Sequence, residues 1–407
     1  MGKQIIHTPE GVRDIYGEEY DKKLALEEKL HHCLKSYGYH DIQTPTFEFF
    51  DVFSSRIGTI PSKELYKFFD KEGNTLVLRP DFTPSIARAA AKYFMEEELP
   101  LRLCYKGNTY TNHISYQGLL KEMTQIGAEL IGDPSPEGDA ELISLVITCM
   151  KAAGIEEFQV SIGQVEFFKG ICEEAGMNEE EEQNVRDKIS NKNYFATEEI
   201  LEQLKIKKHL KEVILQITDF FGSIEKMKEA KALVQNLRSK EAICRLERLY
   251  EVLLVYGVEK YVTFDLSMLS KYNYYTGVIF KAYTYGVGDA LMKGGRYDKL
   301  LMEFGKNAPA IGFTIIVDTL LSAIARQKIS LPGCLKQKGI LYPEIMWKEA
   351  VLMAKELREK GERVELIKER KGKEKKDYIS FGIRNQMSEI YSMKEKEWWK
   401  TKEWRDI

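Results

Sequence analysis

The sequence predicts an α+β fold: antiparallel strands flanked by helices, a helical insertion at about 166–256, and a small α/β domain at 338–407. Three observations predict it. Strand-like runs recur in neighbouring pairs separated by turn or loop text, as in Tyr66–Phe69 and Thr75–Leu78 around Asp70-Lys-Glu-Gly73. From about Glu166 to Tyr256, acidic and lysine-rich helical text displaces strands. After LPGCLKQKG, a linker by its Pro and Gly content, strand and helix text returns over a short stretch. Strands interrupted by helices, rather than regular βα alternation, are the mark of the α+β class.

The elements follow in order. Glu18 to Tyr37 predicts an amphipathic helix, with Tyr20, Leu24, Leu30, Leu34 and Tyr37 at helical spacing and Gly38 as its stop. HDIQTPTFEFF is extended, and Pro45 places it at a sheet edge or an irregular pairing. The hairpin at 66–78 comes next, and Pro84 then opens a helix through Ile86, Ala87 and Ala90. LRLCYKGNTYT and KEMTQIGAELIG read as a strand pair joined by the polar loop NHISYQG. Gly138 to Met150 is a helix by its Leu142, Leu145, Val146 and Cys149 pattern. Beyond the helical insertion, strands return in VTFDLSML, YYTGVIFKAYTY and LMKGGRYDKLL, and GFTIIVDTLLSAIAR starts as a strand and ends as a helix. ILYPE, a helix from Trp347 to Lys360, VELIKE and YISFGI make up the tail domain.

Composition narrows the function class. The chain has 407 residues, 43% hydrophobic and 30% charged, which fits an ordinary globular protein and excludes a disordered one. With 60 basic and 63 acidic residues the net charge is −3, where a dedicated nucleic-acid binder would be basic. Cys33, Cys104, Cys149, Cys172, Cys244 and Cys334 are widely spaced and contain no CxxC pair, against a structural zinc site or a disulfide framework. A reducing, cytoplasmic setting is the expectation, and no apolar run has membrane-spanning length. His31, His32, His40 and His209 form no pair with metal spacing, so no metal, no cofactor and no nucleophile is expected. The charge runs Glu179–Glu182 and Lys368–Lys376 read as solvated faces or loops.

Several segments together resemble one family. PEGVRDIYG, the first helix and GYHDIQTPTFE resemble the first signature motif of class II aminoacyl-tRNA synthetases in their histidyl form. LVLRPDFT resembles the segment facing the amino acid, and RLCYKGNTYTNHISYQGLLKEMTQIGAELIG stands in the second motif. SMLSKYNYYTGVIF resembles the histidine-specific block, while GGRYDKLL and PAIGFTIIVDTL stand in the third motif. The segments run in register from Thr8 to Leu320. The resemblance implies a class II synthetase-like body over residues 1–325, and a self-dimer through the first-motif helix and the Pro45 strand.

The departures from the family pattern bear on function. The resemblance expects an arginine for the ATP α-phosphate in the second motif, and Thr111 stands there. Of two further basic positions, Leu119 fills one and Lys121 the other. An arginine expected four residues before YYTG is Ser270, and one expected in GLER-like text for the γ-phosphate is Thr319. Expelling pyrophosphate builds charge on phosphate oxygens, and losing one fixed donor to such charge costs about 3 kcal/mol. A neutral hydroxyl does not replace a guanidinium fork. An active histidyl-tRNA synthetase, the competing expectation, therefore fits poorly, and so does tRNA binding, because the tail is short for an anticodon-binding domain. His113 replaces a family glutamate in the same loop.

The amino-acid side is better kept. By resemblance, Asp81 holds the α-ammonium of histidine, Thr83 follows it, Gln125 and Glu129 contact the amino acid, and Tyr274 and Tyr275 are the YYTG tyrosines. A carboxylate suits an imidazole N–H. LRPDFTPSIAR and IGQVEFFKGICEEAGM resemble the family's non-catalytic branch, the regulatory subunits of ATP phosphoribosyltransferase. That resemblance implies no catalytic residue and a partner: the short catalytic subunit of the first step of histidine biosynthesis, joined in a hetero-octamer of four subunits each. Histidine is the implied small ligand and feedback inhibitor.

Overall fold

The computed structural model describes residues 6–53, 60–98, 100–113, 120–269, 274–331 and 337–401. The chain divides into two compact units, one of Met1–Arg13 with Leu26–Ser330, the other of Asp14–Ala25 with Leu331–Ile407. The fold is mixed α and β, as the sequence predicts.

The first unit opens on helix α1 (Gly17–Ser36), whose earliest residues group with the second unit, then the short strand β1 (His40–Asp41). Within α1, Leu26, Leu30 and Leu34 are fully buried and Cys33 is nearly so. Tyr20 and Leu24, expected on the same stripe, are 45% and 40% exposed. The helical period puts Leu26, Leu30, Cys33 and Leu34 on one face and turns Leu24 away from it. Pro45 stays out of any strand, and its carbonyl accepts from Arg79 Nη1 at 3.1 Å. Strands β2 (Phe47–Phe49), β3 (Lys67–Phe69) and β4 (Thr75–Leu78) form a small antiparallel sheet in the order β2-β4-β3. The β3–β4 turn forms because Asp70 Oδ1 accepts from Asn74 N at 2.7 Å and Gly73 takes φ +86°.

Helix α2 (Thr83–Tyr93) has Pro84 in its first turn, where the missing N–H costs nothing. Strands β5 (Leu101–Tyr110) and β6 (Glu122–Ile131) pair antiparallel along their full lengths. Helix α3 (Pro136–Ala152) is capped by Ser135, whose Oγ accepts from Gly138 N at 3.1 Å. Strand β7 (Phe158–Gln164) leads into the helical stretch: α4 (Val165–Glu174), α5 (Glu179–Ser190), α6 (Tyr194–Gln203), α7 (Lys208–Leu215), the two-residue β8 (Phe221–Gly222), α8 (Ile224–Leu233) and α9 (Leu237–Tyr256). The run Glu179–Glu182 is the first turn of α5, closed by an Asn178/Glu181 capping box. Four carboxylates there complement the helix dipole as well as facing water. Strands β9 (Val262–Asp265), β10 (Val278–Thr284), β11 (Met292–Arg296) and β12 (Ala310–Ile316), then helix α10 (Val317–Arg326), complete the unit.

The large sheet runs β1-β5-β6-β12-β11-β10-β7-β9-β8. Its middle six strands are antiparallel, with parallel pairs β1/β5 and β7/β9 toward the two sides. Phe82, Ile86, Leu103, Tyr105, Tyr297 and Leu301 form one core cluster between α2 and the sheet. A buried ion network fastens the other elements. Arg296 Nη2 lies 2.6 Å from Asp139 Oδ1, its Nη1 3.0 Å from Asp298, and Arg245 Nη2 2.6 Å from Asp139 Oδ2.

In the second unit, β13 (Gln337–Tyr342), α11 (Trp347–Glu359), β14 (Arg363–Lys368), α12 (Lys375–Arg384), β15 (Met387–Ser392) and β16 (Glu397–Lys400) give a sheet ordered β14-β13-β15-β16. ILYPE and VELIKE fall in β13 and β14, but YISFGI lies in α12. A capping box of Glu374 and Asp377 starts that helix, and Tyr378, Ile379 and Gly382 bury one of its faces. The C-terminal strands β15 and β16 carry no turn signal strong enough to be read beforehand.

Candidate functional site: an acceptor-lined pocket on a glycine floor

Cross-strand register builds the floor of the pocket. Gln125, Gly127 and Glu129 alternate on one face of β6. Opposite them stand Gly107, Tyr105 and Leu103 of β5, and Ile316, Thr314 and Gly312 of β12. Gly295 of β11 continues the row beyond Gly312. The glycines clear the space. A Cβ on Gly312 would land on the Glu129 carboxylate, and one on Gly127 would strike the Tyr105 ring and the Phe313 carbonyl. A Cβ on Gly295 would come 2.6 Å from the Tyr275 ring.

Glu129 is 1% exposed and held from both sides. Thr83 Oγ1 donates to its Oε1 at 2.9 Å, and the Tyr297 hydroxyl donates to Oε2. Burial pushes its carboxyl up to about 8, only partly offset by those two donors, and the nearby Asp81 adds to the rise. Asp81 stands just before α2, where its Oδ1 accepts from Thr83 N at 3.4 Å. Burial raises its pKa as well. Among the described residues no ion pair joins either carboxylate to a cation. Gln125 is 8% exposed, and its Oε1 is buried without a donor, as is Thr314 Oγ1. The Tyr274 and Tyr275 rings lie tilted at 39° with 4.5 Å between centroids, and Tyr274 meets Tyr297 edge-on at 6.1 Å.

The structure thus gathers Asp81, Thr83, Gln125, Glu129, Tyr274 and Tyr275 around one face of the sheet. It adds Tyr297, Tyr105 and Thr314, which the sequence reading missed as site residues. Tyr297 belongs to the GGRYDKLL segment, so its place in a motif was the available signal; Thr314 and Tyr105 carry none. Two buried carboxylates and an unpaired amide oxygen make an acceptor-rich site, suited to a small ligand that brings N–H donors or a positive charge.

Thr111, where the resemblance expects a cation, is separate from this cluster. Thr111 follows β5 at the Glu122 end of β6, about 23 Å along the strand from Glu129 at ~3.3 Å per residue. Its backbone N donates to Lys121 O at 2.9 Å. Thr319 is half-buried on α10, beside Asp318, whose Oδ2 accepts from Thr124 N at 2.7 Å. Ser270 and Leu119 lie outside the described residues. Arg79 of the LRPD segment is buried and committed to structure: it donates to the carbonyls of Asn108, Thr44 and Pro45, and its guanidinium lies 4.0 Å from the centre of the Phe82 ring. His113 Nε2 is buried without a partner.

The fold also brings together three residues far apart in sequence. His31, Asp41 and Cys104 place one potential ligand atom each within 4.8 Å of one another. The His31 ring and Lys35 already share the Asp41 carboxylate, at 2.5 and 3.0 Å, and hold its pKa down at about 2. Burial pushes the Cys104 thiol up to about 12. The Asp41 carboxylate is thus already taken up by side-chain donors, the Cys104 thiol included.

Among the described residues no helix is long and apolar enough to cross a membrane. The sequence profile of histidyl-tRNA synthetases matches residues 11–320. An Acetivibrio thermocellus protein named ATP phosphoribosyltransferase regulatory subunit is 41% identical over 366 residues, 90% of this chain and 88% of that one. A Ruminiclostridium cellulolyticum protein of the same name is 39% identical over 91% of this chain and 89% of its own. Among solved structures, a Bacillus halodurans ATP phosphoribosyltransferase regulatory subunit/histidyl-tRNA synthetase superposes with a TM-score of 0.84 at 33% identity, over 96% of this chain and 98% of the other. The histidyl-tRNA synthetase of Nostoc matches in fold alone, with a TM-score of 0.80 at 18% identity over 99% and 100% of the two chains. The chain belongs to the ATP phosphoribosyltransferase regulatory subunits, a branch of the class II histidyl-tRNA synthetase-like family.

Proposed function

We propose that this chain is a non-catalytic subunit that a short ATP phosphoribosyltransferase catalytic subunit requires for the first step of histidine biosynthesis. The observation that carries the reading is the similarity, at about 40% identity across some nine-tenths of the chain, to proteins named as that regulatory subunit. Residue chemistry supports it. The phosphate-facing positions hold Thr111, Ser270 and Thr319, so amino-acid activation lacks the cations that would stabilise departing pyrophosphate.

The pocket of Asp81, Thr83, Gln125, Glu129, Tyr274 and Tyr275 binds histidine in this reading. Asp81 takes the α-ammonium and Glu129 an imidazole N–H. Histidine then regulates the partner by binding the active and inactive assemblies unequally. The assembly is a hetero-octamer of four subunits of each kind, cytoplasmic, free of tRNA, and built on self-dimers of this chain. Residues 1–325 form the synthetase-like body and 338–407 its C-terminal domain. Exposed Phe47, Phe49 and Phe68 on one face of the small sheet support the self-dimer.

The test is ribose-phosphate transfer to ATP by the short catalytic subunit, with and without this chain and with histidine titrated in. Activity that depends on the chain and falls with histidine is expected. Unchanged activity on adding the chain overturns the proposal. Robust histidine-dependent ATP–pyrophosphate exchange by the chain alone would make it a synthetase instead.

A further inference from the structure

An amino acid brings a carboxylate, and the described residues around Asp81 and Glu129 offer it carboxylate, amide and hydroxyl groups, while the guanidinium over Gly107, Arg79, is given to backbone carbonyls. A cation stands one ring away. Helix α4 starts directly after β7, and its first turn is seated on the Tyr275–Gly277 segment: Val165 N donates to Gly277 O at 3.1 Å, and Val165 packs with Met268, Ile279 and Tyr275. One turn on, Lys169 reaches back, and its Nζ donates to Tyr275 O at 3.4 Å.

That ammonium is half-buried and thinly partnered. Its side chain is 22% exposed, and its ion pair with Glu166 is long, at 3.7 Å. Arg238 holds the same Glu166 carboxylate much closer, at 2.6 Å. An ammonium carries three donors, and contacts at 3.4 and 3.7 Å leave most of that capacity unused. Burial lowers the Lys169 pKa, and Glu166 and Glu182 offset part of that fall.

Lys169 also faces open space. It lines a cavity of about 480 Å³ together with Glu179, Glu180, Glu182, Arg186, Leu269 and Tyr275, and Arg186 takes up the Glu182 carboxylate. Tyr275 is the shared wall: one side borders this cavity, and its ring covers Gly295 in the same cross-strand row as Gly312 and Glu129. Two strand spacings separate Gly295 from Glu129, roughly 10 Å. A ligand anchored at Asp81 and Glu129, meeting a lysine stem of several ångströms, can close that span.

We propose that Lys169 binds the carboxylate of the amino acid held in the Asp81–Glu129 pocket, supplying from α4 the positive charge that Ser270 does not carry. The inference rests on the reading that the pocket binds histidine. It makes Lys169 the residue that distinguishes an amino acid from its decarboxylated amine, since both offer the same ammonium and imidazole to Asp81 and Glu129.

The experiment is calorimetric titration of the purified chain and its Lys169→Met and Lys169→Arg variants with L-histidine and with histamine, which lacks the carboxylate. A charge-assisted hydrogen bond in a half-buried site corresponds to about tenfold to a hundredfold in affinity. The unaltered chain should prefer histidine by that factor. K169M should lose the preference while its histamine affinity stays within about twofold, and K169R should recover part of it. Retention of the histidine preference by K169M overturns the assignment. So does an equal loss for both ligands, which marks a merely structural role; thermal unfolding of K169M checks that the fold is intact. If the unaltered chain binds neither ligand, the histidine-pocket reading itself fails and this inference with it.

Discussion

Glu129→Gln should stabilise the protein, and increasingly so as pH rises. The carboxyl is fully buried, touches two hydroxyl donors and, among the described residues, no cation, and has its pKa raised from 4.5 to about 8. A carboxyl that holds its proton more tightly when folded gives stability that is fully present below pH 4.5. That stability is lost as pH climbs through the folded value near 8. At about 1.36 kcal/mol per pKa unit, the difference between 4.5 and about 8 is on the order of 5 kcal/mol by pH 8. Glutamine keeps the shape. Its carbonyl accepts from one hydroxyl and its amide donates to the oxygen of the other, so the packing is retained without the charge. Urea unfolding of both proteins at several pH values isolates the effect, because every other titrating group cancels in the difference. The stability difference should be small near pH 5, grow by up to about 1.4 kcal/mol per pH unit, and level off above pH 8. A difference that stays flat with pH, or a variant less stable than the parent at pH 8, refutes the argument. On the proposed reading the same substitution should weaken histidine binding, because an amide nitrogen cannot accept from an imidazole N–H.

Other substitutions test the remaining parts. Gly312→Ala places a methyl on the Glu129 carboxylate; overpacking should cost about 1–3 kcal/mol in urea unfolding and abolish histidine binding by calorimetry. Arg296→Met leaves Asp139, which is 0% exposed, with only one of its two arginines; a loss of about 3–5 kcal/mol in the unfolding free energy is expected. Phe49→Asp, at a side chain 56% exposed within the protomer, should leave the unfolding midpoint nearly unchanged while converting a self-dimer to monomer by light scattering. Leu30 and Leu34 cannot serve for that test, because both are fully buried in the protomer and their replacement would unfold it. Thr111→Arg alone should give no histidine-dependent pyrophosphate exchange, since Ser270 and Thr319 still lack their cations.

The sequence by itself determined the class of the fold, most of its elements and the family. Those properties are written in local text: Pro84 at a helix start, the Asp70–Gly73 turn, the strand pair on either side of NHISYQG, and motifs in register from Thr8 to Leu320. The resemblance also set Thr111, Ser270 and Thr319 where it expects arginines, an expectation that needs no coordinates. The face of α1 was only half legible, since a periodicity shows that a stripe exists but not which of Leu24 and Leu26 turns inward. YISFGI carries no element type in the sequence, and the Glu374–Asp377 capping box with the packing of Tyr378 and Gly382 makes it a helix. Only the tertiary structure decided the chemistry of the pocket. The hydroxyls of Thr83 and Tyr297 approach Glu129 from positions 46 and 168 residues away in the chain. Register across three strands put Gly312 beneath the carboxylate, and the return of α4 onto Tyr275 brought Lys169 to the Tyr275 carbonyl. Charge state, burial and reach are properties of neighbours in space, and a chain read one residue at a time does not contain them.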